Sequence, residues 1–346
     1  MFQKKSFSLR DISKLGSNFL KNPIRMIKIL ANDGISPDGQ TLLEEAGYEV
    51  DTTRIPQADL PGVIGQYDVL IVRSATKVTK EVIDAGTNLK IIARGGVGLD
   101  NIDTDYARSK GITVFNTPAA SSQAVAELAF AHMFSLARFL HGSNRAMPVS
   151  GGTEYDKLKK KFSDGIQLRG RTLGIIGFGR IGQEAARIGI GLGMNVLAVD
   201  PMIDEARIDI KPYNSEYITM AVSVPTVEMD ELFAKSDFIT LHVPFSGGTP
   251  IIGKAQFDKM KKGVCLINTS RGGTVDEEAL LEAMASGKVA GAGLDVFDFE
   301  PTPRPEILSH PNISLTPHIG ASTLEAQANI GLELADRILA FFGDDK

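Results

Sequence analysis

Leu173-Gly-Ile-Ile-Gly-Phe-Gly-Arg-Ile-Gly-Gln-Glu-Ala-Ala-Arg-Ile188 reads as a short buried strand, a glycine turn and the start of a helix. A Gly-x-Gly-x-x-Gly pattern by itself is weak evidence in a chain with 35 glycines. Here the order strand, turn, helix supplies the missing context. Gly177 permits the tight turn, Gly179 lets a pyrophosphate approach the backbone, and Gly182 lets the helix lie close to the strand. The helix start then faces the phosphates with free N–H groups and the positive end of its dipole, to which Arg180 adds charge. The next apolar run, Asn195-Val-Leu-Ala-Val, ends in Asp200, roughly 20 residues beyond the loop. A carboxylate there accepts from ribose hydroxyls and repels a 2′-phosphate. Pro201-Met202 follow it instead of arginines, so the expected cofactor is NAD rather than NADP.

Outward from this loop, apolar runs and helix-like segments alternate, the rhythm of a parallel α/β architecture. Strands are expected at Leu173–Ile176, Asn195–Val199, Phe238–Leu241, Val264–Ile267, Gly291–Leu294 and Ile313–Leu315, the two mononucleotide-binding halves of a Rossmann sheet. Ahead of them, Ile27–Ala31, Tyr48–Val50, Val69–Val72, Leu89–Ala93 and Ile112–Phe115 make a smaller flavodoxin-like set. Gln123 to Leu140 is apolar nearly all round and reads as a buried helix linking two bodies. One helix, Thr323 to Phe342, remains at the end; too short for a domain, it is expected to pack back on the first set. The fold class is therefore α/β with two Rossmann-like or flavodoxin-like domains, the NAD-binding domain (123–316) inserted into a substrate-binding domain (26–122 and 317–346). Residues 204–225 exceed a normal connection, and Ile208, Ile210, Tyr217, Ile218 and Val222 suggest an extra hairpin.

Bulk properties exclude several classes of function. The net charge of −5 and the lack of a basic stripe give no field for nucleic acid. No apolar stretch is long enough to span a bilayer. Cys265, the sole cysteine, lies within Val-Cys-Leu-Ile and reads as a small core residue, which fits a reducing, cytoplasmic compartment. With one cysteine and histidines that lack ligand spacing, no metal is expected. Residues 1–25 carry Lys4, Lys5, Arg10, Lys14, Lys21 and Arg25 against the single acid Asp11. They read as an extension or as a start placed too early, since Met26 opens a clean strand; organellar targeting is the lesser alternative.

Three residues stand at the ends of later strands: Arg271 in Asn268-Thr-Ser-Arg-Gly-Gly, Glu300 in Gly293-Leu-Asp-Val-Phe-Asp-Phe-Glu-Pro, and His318 in Leu315-Thr-Pro-His-Ile-Gly-Ala-Ser-Thr. An arginine grips a carboxylate by two parallel bonds, a histidine moves a hydroxyl proton, and a glutamate holds the histidine. Each has a plainer reading: Arg271 as a loop surface residue, Glu300 as an exposed acid before Pro301, His318 as one of five histidines. Of the others, His132, His141 and His310 look like helix or loop residues. His242, in Leu-His-Val-Pro, is the main rival but has no carboxylate motif beside it.

With Arg94-Gly-Gly-Val-Gly-Leu-Asp-Asn-Ile-Asp and Gly291-Ala-Gly-Leu-Asp-Val-Phe added, the motif set resembles the D-isomer-specific 2-hydroxyacid dehydrogenases from about Met26 to the C-terminus. Val72-Arg-Ser-Ala-Thr-Lys-Val-Thr, Ala124-Val-Ala-Glu-Leu and His318-Ile-Gly-Ala-Ser look most like the phosphoglycerate dehydrogenase branch. The resemblance implies Arg271, Glu300 and His318 as the catalytic trio, with His318 the acid/base. It implies NAD contacts at Arg180, Ile181, Asp200, Thr269, Ser270, Arg271, Asp295 and the turn through Gly320 and Ala321. Gly96, Val97 and Gly98 would receive the substrate carboxylate, and Arg73, Ser74 and Lys77 would serve its phosphate. The implied reaction is oxidation of D-3-phosphoglycerate, the first step of L-serine synthesis. Reduction of glyoxylate, hydroxypyruvate or another 2-keto acid is the near alternative, and an NAD-sensing corepressor-like protein the distant one. The family also implies a homodimer, and since the sequence stops at Lys346 the regulatory domain of long forms is not expected.

Overall fold

The computed structural model describes residues 26–211, 219–245 and 247–343. The chain divides into two compact units. Of the described residues, the first unit holds 26–95, Asn101–Phe115 and 331–343. Strands β1 (Lys28–Ala31), β2 (Glu49–Asp51), β3 (Val69–Val72), β4 (Ile91–Arg94) and β5 (Thr113–Asn116) form one sheet in the order β2-β1-β3-β4-β5. This is the flavodoxin-like order, with its switch point between β1 and β3. All four residues of β3 are buried, as expected of a central parallel strand covered on both faces. The helix Pro37–Glu45 starts with proline and a Ser36 side chain accepting from Gly39 N–H. It ends before Gly47, whose φ of +87° only glycine adopts without cost. The final helix, Leu324–Gly343, reaches this unit at Gly331, where a Cβ would strike Ser36, and at Phe342, which meets Tyr48 edge-on at 5.9 Å.

The second unit comprises Gly96–Asp100 and Asn116–Ile330. Its sheet runs β13-β12-β11-β10-β6-β7, from β6 (Thr172–Ile176), β7 (Asn195–Val199), β10 (Phe238–Leu241), β11 (Val264–Asn268), β12 (Val289–Leu294) and β13 (Ile313–Leu315). Every ladder in it is parallel. A Rossmann half would carry a third strand outside β7. Among the described residues that place is held only by an isolated bridge between Ala198 and Thr226. The chain leading to it forms an antiparallel hairpin of β8 (Glu205–Ile210) with β9 (Met220–Pro225). Ile208 is buried in it, while the expected Tyr217 and Ile218, like residues 1–25, lie outside the described residues.

The buried helix is Ser122–Ala137, ending three residues before the apolar run does. The Ala137 carbonyl accepts from Ile166 N–H and the Ser135 hydroxyl from His141 N–H, so the chain turns with Phe139 at a φ of +54°. New helices then run Leu140–Ser150 and Tyr155–Lys161, which the sequence did not suggest. Gly291 and Gly293 of β12 let the buried helix lie close, since a Cβ on either would meet Leu136 or His132. Cys265 is buried in β11, and burial pushes its thiol up to about 12.

Candidate active site

One register-matched row crosses the second sheet through Val199, Ile176, Leu241, Asn268, Leu294 and Leu315. The residues that follow them are Asp200, Gly177, His242, Thr269, Asp295 and Thr316. Parallel strands end at one edge, so each motif singled out in this part of the sequence begins where its strand leaves the sheet.

The glycine loop follows β6. Gly177 has a φ of +91°, and a Cβ on it would press on the His242 carbonyl. A Cβ on Gly182 would fall on the Gly177 carbonyl, which is what holds the helix Arg180–Gly191 close to the strand. Above Gly179, at the N-cap, nothing lies within 4 Å of such a Cβ. That open space is where a pyrophosphate meets bare backbone. Asp200 accepts from Phe178 N–H at 2.7 Å through Oδ2 and from Met202 N–H at 2.9 Å through Oδ1. The carboxylate is thus fixed to the loop, and each oxygen retains an acceptor position for a ribose hydroxyl. Thr269 is buried, and its hydroxyl has no hydrogen-bond partner among the described residues. Ser270 turns inward, its Oγ donating to Asn268 Oδ1 at 2.7 Å. Exposed Arg180 and half-buried Ile181 open the helix. The open cradle, the unpartnered threonine and the anchored acid fit NAD.

Arg271, Glu300 and His318 come together beside three neighbouring strands. Arg271 pairs with Asp100, Nε to Oδ2 at 3.1 Å, and donates from Nη1 to the Ser270 carbonyl at 2.7 Å. A Cβ on Gly98 would collide with its guanidinium, so the Gly96–Asp100 segment packs on it only because residue 98 is glycine. Of that segment's amides, Gly96 N–H donates to Thr117 Oγ1 at 2.8 Å, leaving those of Val97 and Gly98 for a carboxylate. Asp100 as the arginine's partner was not evident in the sequence; the only signal was an acid within a glycine-rich motif.

Glu300 Oε1 accepts from Phe297 N–H at 3.0 Å, and Oε2 lies 2.7 Å from His318 Nδ1. Nε2 of His318 is left for a ligand. The histidine backbone is left-handed, with a φ of +55°, a costly conformation for a side chain of this size. It is held there by Asp295, whose carbonyl accepts from His318 N–H at 2.8 Å. The Asp295 carboxylate also accepts from Ile319 N–H and Gly320 N–H, both at 2.8 Å. Ala321 follows, and its carbonyl accepts from Gln327 at 2.8 Å. The hydrogen bond to Glu300 raises the His318 pKa above its ordinary value against the opposing effect of burial. Burial would raise Glu300, but the bond and charge of His318 outweigh it and hold the carboxyl below the usual range. Asp295 is pushed up by burial.

Among the described residues the rival, His242, has only the Thr240 hydroxyl, at 3.1 Å, and desolvation takes its pKa down to about 3. It stays neutral and lacks an acid. Arg73, Ser74 and Lys77 belong to the first unit, on the loop leaving β3. Asp33 shapes that loop, accepting from Arg73 N–H at 2.7 Å and Thr76 N–H at 3.0 Å. Ser74 and Lys77 are exposed and Arg73 half-buried. Among the described residues no group of three acids, histidines or cysteines is placed to hold a metal, and no helix is long and apolar enough to cross a membrane.

Comparison with known proteins gives the same assignment. Residues 130–320 match the family model of the D-isomer specific 2-hydroxyacid dehydrogenase, NAD binding domain. The chain is 46% identical over 321 residues to the hydroxypyruvate reductase of Thermotoga maritima, covering 91% of this chain and 98% of that protein. It is 43% identical over 316 residues to the D-3-phosphoglycerate dehydrogenase of Archaeoglobus fulgidus, covering 90% of this chain but only 57% of that longer protein. A glyoxylate reductase structure from Paecilomyes thermophila superposes with a TM-score of 0.76 at 29% identity, over 92% of this chain and 95% of that one. The chain belongs to the D-isomer-specific 2-hydroxyacid dehydrogenases and is an NAD-dependent enzyme of that family.

Proposed function

We propose that this protein oxidises D-3-phosphoglycerate to 3-phosphohydroxypyruvate with NAD, the reaction that opens L-serine synthesis. The 2.7 Å bond between His318 and Glu300 carries the chemical part of this reading. With Nδ1 engaged by Glu300, Nε2 of neutral His318 accepts the C2 hydroxyl proton as the hydride leaves C2. Arg271 grips the C1 carboxylate and steadies charge on the C2 oxygen. The Val97 and Gly98 amides bind the same carboxylate. Bound NAD supplies the hydride acceptor. In the reverse direction His318 donates its proton to the keto oxygen, and the raised pKa favours the protonated form that this step needs. The phosphate is assigned to the loop of Arg73, Ser74 and Lys77. Support for that assignment is its position at the β1/β3 switch point, where ligands of this topology bind, and the cationic side chains that a phosphate needs.

A second reading keeps the trio and changes the substrate to hydroxypyruvate. The similarity at near-equal length to a hydroxypyruvate reductase favours it. Both readings are tested by NADH formation from D-3-phosphoglycerate beside NADH consumption with hydroxypyruvate and glyoxylate. Phosphoglycerate turnover that collapses in His318→Ala supports the first. Strong hydroxypyruvate or glyoxylate reduction without it moves the protein to the reductases and leaves Arg73 and Lys77 without a phosphate to bind.

A further inference from the structure

Beneath the His318 turn, a line of polar side chains, buried at its centre and half-buried at Thr316 and His141, runs back through the helix Ser122–Ala137. Asp295 Oδ1 contacts Thr316 Oγ1 at 2.6 Å, and Thr316 Oγ1 contacts His132 Nε2 at 3.0 Å. His132 Nδ1 contacts Ser314 Oγ at 2.9 Å, and Ser314 contacts Ser135 Oγ at 3.4 Å. Ser135 then meets His141 Nδ1 at 3.2 Å, whose Nε2 meets the Pro311 carbonyl at 3.1 Å. His132, Ser314 and Asp295 are 2%, 7% and 1% exposed, so water does not satisfy them. Room for the imidazole exists only because β12 carries Gly293, where a Cβ would strike the His132 side chain.

Proton count and contact length together set the direction of the chain. It has six contacts and an acceptor at each end, the Asp295 carboxylate and the Pro311 carbonyl. With both histidines neutral, the two imidazoles and three hydroxyls bring five protons, one fewer than the contacts need. Ser314 Oγ has one proton to give, either to Ser135 Oγ at 3.4 Å or to His132 Nδ1 at 2.9 Å, and the much shorter contact takes it, so the contact forgone is Ser314 to Ser135. On the inner side the order is then fixed: Ser314 donates to His132 Nδ1, His132 Nε2–H donates to Thr316, and Thr316 donates to Asp295. Burial keeps His132 neutral by taking its pKa to about 4, a shift to which nearby His141 adds. The charged or titratable groups around this segment are His141 on the outer side and, beyond Thr316, Asp295 with His318.

We infer that His132 is a positioning residue: as the Nε2–H tautomer it holds the Thr316 hydroxyl on Asp295, and so fixes the turn that aims His318. The inference rests on His318 being the acid/base. An NMR measurement of the imidazole nitrogens in the unmutated protein reads the tautomer directly, and an Nδ1–H form overturns the idea without any variant. For activity, His132→Leu, His132→Gln, Thr316→Val and His318→Ala are compared in kcat, KM and pH profile, with NADH and hydroxypyruvate or with NAD and phosphoglycerate, whichever turns over faster. Misplacing His318 lowers kcat about ten- to a hundredfold in His132→Leu and Thr316→Val and moves the His318 limb of the profile. His132→Gln, which keeps an N–H donor, recovers most of the rate. A His132→Leu protein with unchanged kcat and pH limb, whatever its melting temperature, refutes the positioning role. Should His132→Leu fail to fold, Thr316→Val and the tautomer decide. If His318→Ala is as active as the parent, the assignment of the acid/base fails instead.

Discussion

Replacing Glu300 by glutamine keeps the shape of its side chain and removes its charge, and the consequence for His318 can be worked out from the structure. The Nδ1–Oε2 contact is 2.7 Å, but the two side chains are 48% and 35% exposed. An ion pair this open to solvent contributes about 1 kcal/mol, far below the value for a buried pair. Losing it removes the main cause of the raised His318 pKa, which therefore falls. In the oxidative direction His318 must be neutral, so the rate rises with pH through its folded pKa, and the limb of Glu300→Gln lies at lower pH than that of the parent. The reductive limb, where the rate falls as His318 deprotonates, moves the same way. Orientation is lost as well. Glutamine can accept from Nδ1–H as glutamate does, or donate to Nδ1 and leave the proton on Nε2, where it blocks acceptance from the substrate. A loss of about a hundredfold in oxidative kcat follows, within the span of a general base, while KM for the acid changes little. Steady-state NADH formation from pH 5 to 10 reads both effects. A limb that stays in place or moves up, with kcat intact, would refute the pairing as the source of the raised pKa.

Gly179→Ala leaves the melting temperature within about 2 °C of the parent, because a Cβ there meets nothing, yet weakens NADH binding at least about tenfold in a fluorescence titration. Asp200→Ala raises the KM for NAD and lets NADP serve, narrowing the preference by about tenfold or more in paired initial-rate assays. Arg73→Ala with Lys77→Ala raises the KM for phosphoglycerate about tenfold or more and leaves that for hydroxypyruvate within about twofold, if the loop holds a phosphate. Equal effects on both acids would count against that assignment.

The strands were legible because a parallel sheet buries both faces, so Val69–Val72 or Phe238–Leu241 appear as unbroken apolar runs. The glycine loop was legible because each of its glycines answers a backbone need. What escaped was settled by tertiary partners. Nothing local says that the buried helix stops at Ala137, since its end depends on Ile166 claiming a carbonyl from a distant loop. The hairpin expected over 204–225 does form, but nothing local says that the chain leaving it touches the sheet edge through the single described bridge of Ala198 with Thr226. Asp100 and Thr316 were missed because a hydrogen-bond partner far away in sequence has no periodicity to betray it. His132 could have been noticed: a histidine in a helix apolar nearly all round must find polar partners inside.

Why residues as far apart in sequence as Arg271 and His318 act on one small acid follows from strand order rather than from any local motif. β11, β12 and β13 are consecutive neighbours, and Asn268, Leu294 and Leu315 lie in one row. Strands sit about 4.8 Å apart, so the loops after β11 and β13 start about 10 Å from each other. Between them emerges the loop of β12, which supplies Asp295 at its root and Glu300 farther along. A middle strand is the one place from which a carboxylate can support the histidine while a second acid, at the sheet edge, pins the backbone of that histidine's turn. The division of labour between Asp295 and Glu300 is therefore set by their distance from the row, one and six residues beyond Leu294. Asp295, held at the end of its strand, binds the turn's amides; Glu300, five residues later, reaches out to the imidazole. The left-handed His318 is the cost of this arrangement, and Asp295 is the group that offsets it, so loosening Asp295 from its Thr316 donor acts on catalysis even where no contact with the reacting atoms is touched.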